Sequence, residues 1–268
     1  MASRYSRHVG VDGCVVRDDP CMALGFYDEA QAAIHDERFG DLARDGADAL
    51  IAALRATGIT EGTVVELGCG SGISAMRLLA AGYGVVGCDL SPAMVELAGR
   101  RAPDAELHVA SAYDLALPYC VGVLAVGEVL NYRADGRAGL EGITDLAARV
   151  HDALLRDGVF LFDVSTPGRN GPDPVERQHE GPGWLLDCRI TEDAATRTLV
   201  REIVIQLDAQ PDRAVLERHE LTLYDEDEVR DVLSDAGFDD VRIRTRYGDD
   251  VTFSTPPHGM LVVEARRR

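Results

Sequence analysis

Three alternating glycines after an apolar segment constrain this chain more than any other feature. The run from Val64 to Gly72 reads VVELGCGSG, and a second apolar run ends in Asp89, 17 residues after the last glycine. Glycine lets the backbone turn sharply and a ligand approach closely, and the amides that open the following helix favour an anionic group. An acid at the end of the second strand can accept both hydroxyls of a ribose. The two elements together predict a site for a nucleoside-containing cofactor.

The spacing of the glycines separates two classes of cofactor. Dinucleotide-binding dehydrogenases need G-x-G-x-x-G, whereas here the third glycine comes one residue early and Ile73 stands where that pattern requires glycine. The sequence resembles the class I S-adenosylmethionine (SAM) dependent methyltransferases, whose first motif is acid-x-G-x-G-x-G and whose second strand ends in an acid. The resemblance extends from around Tyr27 to the C-terminus, so it covers most of the chain.

The alternation of predicted strands and helices from Thr63 onwards is typical of a parallel sheet covered on both faces. Helices are predicted over Asp41 to Thr57, over Ser74 to Ala81, from Ser91–Pro92 onwards and over Leu140 to Leu154, and strands at Glu106 to Val109, Val121 to Val126 and Val159 to Asp163. Asp157–Gly158 is expected to end the helix that precedes the last of these strands.

Beyond Pro167 the pattern changes, since a Gly/Pro/Asn loop (168–183) leads into segments with apolar/polar alternation. These segments, Trp184 to Ile190, Thr198 to Ile205 and Ala214 to Leu223, predict antiparallel strands with one dry face. A helix after Asp225 and two strands, Val241 to Ile243 and Met260 to Ala265, then return to the main sheet.

The expected fold is α/β: a Rossmann-like, doubly wound, mostly parallel seven-stranded sheet, with an antiparallel last strand and an inserted antiparallel β lobe after the fifth strand. The predicted division is an N-terminal arm and helical cap (1–58), a SAM-binding domain (59–166 and 225–268) and the inserted lobe (167–224). The resemblance to sugar N-methyltransferases implies that such a lobe is a substrate lid or a dimer surface.

The resemblance also implies a set of cofactor-binding residues, contributed by the N-terminal segment and the ends of the first four strands. They are Tyr27, Glu66, Gly68, Cys69, Gly70, Gly72, Asp89, Leu90, Met94, Ser111, Ala112, Tyr113 and Gly127. Ser111 stands where the family usually has an acid that holds the adenine amino group, so Ala112 and Tyr113 are expected to frame the adenine. The alternative is that Tyr113 and Asp114 only cap a turn.

Polar residues after the fourth strand lie at the sheet edge where ligands of open α/β sheets bind. The resemblance implies that Asn131 and Tyr132 face the methyl acceptor, and the alternative is that they only end the strand. Methyl transfer needs a base only if the acceptor must lose a proton. His35, Glu128 and Tyr132 are the predicted catalytic residues, with His258 a further candidate whose simpler interpretation is a turn residue.

Composition agrees with a soluble cytoplasmic enzyme and disfavours a nucleic-acid substrate. The 268 residues carry a formal charge of −19, which would repel nucleic acid from most of the surface. No apolar run approaches the ~20 residues needed to span a bilayer, and no signal peptide is predicted. The six cysteines lack metal or disulfide spacing, so reduced thiols are expected and no metal site is predicted.

The sequence therefore predicts a SAM-dependent methyltransferase that moves a methyl group to an N or O atom by in-line displacement and releases S-adenosylhomocysteine (SAH). The acceptor classes considered are a natural product of secondary metabolism and an amino sugar. Two alternatives stay open: a SAM-binding enzyme with non-methylating chemistry, such as cyclisation or decarboxylation, and a nicotinamide-dependent oxidoreductase, against which Ile73 argues. A homodimer formed through the inserted lobe is a further expectation.

Overall fold

The computed structural model describes residues 32, 34, 40–248 and 259–268, without the side chains of 212 and 213. The helices are α1 (Gly40–Arg55), α2 (Ile73–Ala80), α3 (Pro92–Arg101), α4 (Leu140–Ala153) and α5 (Glu226–Asp235), with a 3-10 helix at Val129–Asn131. The strands are β1 (Gly62–Leu67), β2 (Tyr83–Asp89), β3 (Glu106–Val109), β4 (Cys120–Ala125), β5 (Leu154–Ser165), β6 (Val175–Gly181), β7 (Trp184–Asp193), β8 (Thr198–Leu207), β9 (Gln210–Thr222), β10 (Asp240–Arg244) and β11 (Met260–Arg266).

Seven of these strands form one sheet in the order β10-β11-β5-β4-β1-β2-β3. The pairs from β5 through β3 are parallel, and β11 runs antiparallel to both of its neighbours, β5 and β10. The strand order reverses between β1 and β4, the place where open α/β sheets bind ligands. The expectation of a Rossmann-like sheet with an antiparallel last strand is confirmed.

The two faces of the central strands bury different helices, because successive side chains of a strand point to opposite faces. Val65 and Leu67 pack in one cluster with residues of α4 and α5. Val64, which precedes Val65, packs in another cluster with residues of α1 and α2. The apolar runs of the sequence are therefore buried on both sides, as a parallel sheet requires.

The remaining four strands form a separate antiparallel sheet in the order β6-β7-β8-β9. Trp184, Leu186, Ile203 and Ile205 of this sheet share a buried cluster with Ile34 from the N-terminal part of the chain. A second cluster on the sheet has Leu199, Leu221 and Leu223 among its members, with Tyr132 packed against it. The alternation read from the sequence is thus a real division into a buried and a more exposed face.

The boundary between α4 and β5 differs from the sequence prediction. The helix ends at Ala153 and the strand begins at Leu154, so Asp157 and Gly158 lie inside the strand instead of ending the helix. Asp157 has a φ of +62°, and its amide donates to the Arg267 carbonyl at 2.7 Å. Asp157 and Gly158 form an irregularity within the strand, because the backbone of Arg267 supplies their hydrogen bonds.

The segment predicted as a loop (168–183) contains a strand, β6, which the sequence pattern did not show. Its residues read VERQHEG, and five of the seven are charged or polar. β6 is an edge strand that pairs only with β7 in the described sheet. An edge strand with little burial has no apolar pattern for a periodicity argument to detect.

No helix in the described part of the chain is long and apolar enough to cross a membrane. The four cysteines within that part, Cys69, Cys88, Cys120 and Cys188, are free thiols.

Gly72, the N-cap residue of α2, has a φ of +79°, and a Cβ at this position would lie 2.8 Å from the Cα of Ala98 on α3. Gly58 has a similar φ of +84°, but a Cβ there meets nothing within 4 Å. We expect Gly58→Ala to lose about 1–2 kcal/mol of unfolding free energy from the left-handed backbone alone. Gly72→Ala should lose about 1–3 kcal/mol more from overpacking against α3. Urea unfolding of both variants measures the difference, and equal losses would contradict the close helix contact.

Candidate active site

The glycine turn between β1 and α2 lies at the carboxyl edge of the main sheet. Gly68, Gly70 and Gly72 all have left-handed φ values, +71°, +50° and +79°. A Cβ on Gly70 would meet nothing within 4 Å. The backbone at Gly70 therefore faces open space, as expected where a ligand lies against the main chain.

Asp89, the last residue of β2, is held between this turn and the start of α3. One carboxylate oxygen accepts from the Gly70 amide at 3.0 Å, and the other accepts from the Ser91 amide at 2.9 Å. Burial raises the pKa of Asp89, and the backbone hydrogen bonds oppose that rise. Each oxygen keeps a second acceptor site for a ligand hydroxyl.

A cleft of about 950 Å³, counting its open mouth, runs along the strand ends at this edge. Eleven of the predicted site residues line it. They are Glu66, Gly68, Cys69, Gly70, Asp89, Leu90, Met94, Ala112, Tyr113, Gly127 and Tyr132. Four others that were predicted, Gly72, Ser111, Glu128 and Asn131, do not line it, and the predicted Tyr27, His35 and His258 fall outside the described residues.

Glu66 carries the most perturbed carboxyl group of the cleft. Its Oε1 accepts from the Ser74 hydroxyl, while its Oε2 is buried without a hydrogen-bond partner. Burial raises the pKa of Glu66 to about 8, with the Ser74 hydrogen bond opposing and the charge of Asp89 adding to the rise. An unpartnered buried oxygen is costly, so the cleft offers a ready acceptor to a ligand donor at this point.

The loop after β3 forms both a turn and a wall of the cleft. The amides of Asp114 and Leu115 donate to the Ser111 carbonyl, each at 3.1 Å, as the turn alternative requires. Tyr113, buried and also lining the cleft, donates its hydroxyl to the Leu130 carbonyl at 3.3 Å. The two interpretations of this loop are therefore compatible.

The corner after β4 is fixed by a buried acid that sequence reasoning missed. The Asp163 carboxylate, near the carboxyl end of β5, accepts from the Gly127 amide at 2.8 Å, from the Glu128 amide at 2.5 Å and from the Tyr247 hydroxyl. Burial raises the pKa of Asp163 to about 6, and hydrogen bonds from Tyr247 and Gly127 oppose the rise. Asp163 closes its apolar run as Glu66 and Asp89 close theirs, so the same signal could have found it.

Glu128 was predicted as a catalytic group, and the structure places its carboxylate in a buried bridge between two arginines. Oε1 contacts Arg169 and accepts from the Ser165 hydroxyl, while Oε2 pairs with Arg201 at 2.6 Å. Arg169 comes from the loop after β5 and Arg201 from β8, so the bridge ties the second sheet to the main one. A carboxylate that accepts from two guanidinium groups is a poor proton acceptor, and its catalytic role stays a prediction.

Asn131 and Tyr132 connect the cleft to the second sheet in different ways. Asn131 is fully buried, and its amide donates to the Ser165 and Thr222 carbonyls at 3.1 and 2.7 Å and accepts from the Ser165 amide at 3.0 Å. These bonds fit the alternative in which Asn131 ends the strand. Tyr132 lines the cleft, forms a bridge with Leu221 of β9 and accepts from Arg201 at 3.3 Å. Of the two predicted acceptor residues, Tyr132 alone faces the cleft.

Comparisons with known proteins address the class of this site. Residues 64–148 match the family described as "Methyltransferase domain". The chain is 30% identical over 122 residues to the magnesium-protoporphyrin O-methyltransferase of Rhodobacter capsulatus, which covers 42% of this chain and 53% of that protein. It is 29% identical over 215 residues to the dTDP-3-amino-3,6-dideoxy-alpha-D-glucopyranose N,N-dimethyltransferase of Streptomyces fradiae, which covers 76% of this chain and 80% of that protein. The chain thus spans about half the length of the first relative and four fifths of the second.

Among solved structures, the sugar N-methyltransferase KedS8 from Streptoalloteichus sp. ATCC 53650 has the same fold. It has a TM-score of 0.72 at 21% identity, covering 98% of this chain and 100% of that chain. The family match confirms the prediction of a methyltransferase for the part of the chain that it covers, and the shared fold confirms the predicted Rossmann-like architecture. Neither the nicotinamide-dependent alternative nor the non-methylating one is favoured by these matches.

The unpartnered oxygen of Glu66 leads to a prediction about proton release on ligand binding. With a pKa of about 8, Glu66 is protonated at pH 7 in the free protein, and a ligand ammonium beside it would favour the ionised form. Binding of SAH at pH 7 should therefore release about 1 proton, and the affinity for SAH should rise as the pH approaches 8. Calorimetric titration in two buffers of different ionisation enthalpy measures this release. Glu66→Gln should abolish it, and equal release by both proteins would contradict the assignment.

The bridge at Glu128 leads to a prediction about stability. Glu128→Gln leaves two largely buried arginines without their carboxylate, and we expect a loss of about 3–5 kcal/mol of unfolding free energy. Glu220 is the matched control, because it pairs with Arg133 and Arg218 at the surface, with 35% of its side chain exposed. Glu220→Gln should cost less than about 1 kcal/mol. Equal costs in urea unfolding would show that the buried bridge does not hold the second sheet.

Proposed function

We propose that this protein transfers a methyl group from SAM to a nitrogen or oxygen atom of a small molecule. The observation that carries the proposal is one continuous cleft, lined by Glu66, Gly70 and Asp89 on the cofactor side and by Tyr132 beside the second sheet. This arrangement supports a bound cofactor whose transferable group points towards an acceptor held near the second sheet.

The residues of the cleft fit SAM by their own chemistry. The buried Oε2 of Glu66 lacks a donor, and the methionine portion of SAM carries an ammonium group that could supply one. Gly70 leaves open space against the backbone, and the fixed carboxylate of Asp89 has acceptor sites for the two ribose hydroxyls. Gly127 also lines the cleft, and no atom lies within 4 Å of where its Cβ would be.

When bound, SAM would supply an electrophilic methyl group for in-line displacement, so the protein's main tasks are alignment and desolvation. Asp163 fixes the Gly127–Glu128 corner at the end of β4, and Tyr132, which lines the cleft, packs against an apolar cluster of the second sheet. Tyr132 is the predicted acceptor-contacting residue that lines the cleft, and Tyr132, His35 and Glu128 stay the predicted groups for any proton transfer. Glu128 also ties the second sheet to the main one through its two arginines.

An amino sugar is the acceptor that we favour. The Streptomyces relative, which aligns over 76% of this chain, is named for methylating an amino group of a nucleotide-linked sugar. The chain also carries a formal charge of −19, which attracts a cationic amine towards the cleft.

We extend the proposal to the domain division: residues 59–166 and 225–268 bind the cofactor, and the lobe of residues 167–224 covers the acceptor or joins two subunits.

The first test is calorimetric titration of the protein with SAM, SAH and NADH in parallel. The second is incubation of the protein with methyl-labelled SAM and a panel of amino sugars, their nucleotide-linked forms and hydroxyl analogues. Binding of both adenosyl ligands without NADH, and label transfer to an amine, are expected. Absence of adenosyl binding, or turnover without SAH formation, would overturn the proposal.

Asp89 provides the variant for the cofactor half of this test. Asp89→Ala should weaken SAM and SAH binding by about 1.5–3 kcal/mol, the range for hydrogen bonds to a charged group. Asp104, an exposed acid between α3 and β3, is the control, and Asp104→Ala should leave the affinity unchanged. Unchanged affinity in the Asp89 variant would remove this residue from the site.

A further inference from the structure

We propose that Asp135 recognises the exocyclic amino group of the cofactor's adenine and so selects adenine over other purines. The inference rests on the proposed function, since it assigns a residue to one end of the same cleft. It concerns a residue that follows β4, whereas the adenine wall predicted from the sequence follows β3. Nothing in the sequence pattern around Asp135 indicates a ligand.

The sheet order gives the direction of the cleft. β4, β1, β2 and β3 are consecutive neighbours, and the cleft residues at their ends are Gly127, Glu66, Asp89 and Ala110. A ribose bound at Asp89 therefore has the methionine portion on the β1 and β4 side. The base must lie on the remaining side, beyond β2 and next to the loop after β3.

Asp135 reaches this side of the cleft from the loop after β4. Its carboxylate accepts from the Ser111 hydroxyl, on the loop after β3, and from the Arg137 amide at 2.9 Å. Among the residues that line the described cleft, three carry carboxylates: Glu66, Asp89 and Asp135. Glu66 faces Ser74, and Asp89 is held by Gly70 and Ser91. Asp135 is thus the carboxylate nearest the base.

The surroundings of Asp135 suit a purine base whose amino group donates a hydrogen bond to the Asp135 carboxylate. Ala110, Ala112 and Leu90, which line the same end, offer apolar side chains for a purine ring. The Ser111 hydroxyl donates to Asp135 and accepts from the Tyr113 amide at 2.9 Å, so it orients the acid. An ionised carboxylate accepts hydrogen bonds only. It therefore favours the amino group of adenine and repels the carbonyl oxygen that hypoxanthine has at the same position.

A purely structural role must be separated from recognition. Asp135 also caps a turn, because its side chain accepts from the Arg137 amide and its carbonyl accepts from the Ala138 amide at 3.0 Å. Loss of that turn would weaken every adenosyl-type ligand to the same degree. Loss of recognition would weaken only the ligand with the amino group.

The experiment compares the dissociation constants of SAH and S-inosylhomocysteine, which differ at that position of the purine, by titration of the full chain. The wild-type protein should prefer SAH by about ten- to a hundredfold, the effect of a hydrogen bond to a charged group. Asp135→Ala should reduce the preference to within a few-fold, mainly by weakening SAH binding. Asp135→Asn, whose amide can donate to the carbonyl, should reduce or reverse the preference. Because both ligands are measured on each variant, partial misfolding does not alter the ratio.

Two further variants complete the test. Asp114→Ala removes an exposed acid that pairs with Arg137 and does not line the cleft, and it should keep the wild-type preference. The double exchange of Ser111→Asp with Asp135→Ser moves the carboxylate to the partner position and should restore a preference for SAH that Asp135→Ala lacks.

Equal affinity of the wild-type protein for the two ligands, or an equal loss of both in Asp135→Ala, would overturn the inference while the proposed function stands. Absence of SAH binding to the wild-type protein would overturn the proposed function itself.

Discussion

The architecture of the site depends on one buried carboxylate, that of Asp163. It accepts hydrogen bonds from the Gly127 and Glu128 amides and from Tyr247, and thereby joins β5, the corner after β4 and the loop after β10. This corner lines the cleft with Gly127 and directs the Glu128 side chain to the second sheet. A buried acid without these donors would be strongly unfavourable, so the corner and the carboxylate stabilise each other.

The second sheet is attached through charge as well as through apolar packing. Glu128 has a left-handed φ of +63° and bridges Arg169 and Arg201, all three largely buried. Burial, with the nearby charges of Arg201 and Arg177, lowers the pKa of Arg169 to about 9. Replacing a buried ion pair by apolar residues is often neutral or stabilising. The contribution of this bridge is therefore mainly geometric, because it fixes the sheet that carries Arg201 relative to the cleft that Tyr132 lines.

Sequence reasoning predicted the repetitive parts of the fold well, and failed where burial does not follow a period. β3 was predicted with its observed bounds, because its short run lies between clear turn signals. β6 was missed because this edge strand buries little of its surface. The end of α4 was misplaced because Asp157–Gly158, a pair that commonly ends helices, can also lie inside a strand when distant residues form hydrogen bonds with its backbone. The glycine turn and Asp89 were predictable because their spacing encodes local backbone geometry.

The sequence by itself determined the class of fold, the glycine turn and the acids Glu66 and Asp89 that line the cleft, since strand ends, glycine positions and the acids beside them are local features of the chain. Only the tertiary structure brought Asp135 into contact with Ser111, placed Glu128 between two arginines and paired the Asn131 side chain with backbone groups of Ser165 and Thr222. These contacts join residues 24 to 91 positions apart. No periodicity or spacing relates residues so far apart, because their contact depends on how the loops pack after the sheets have formed.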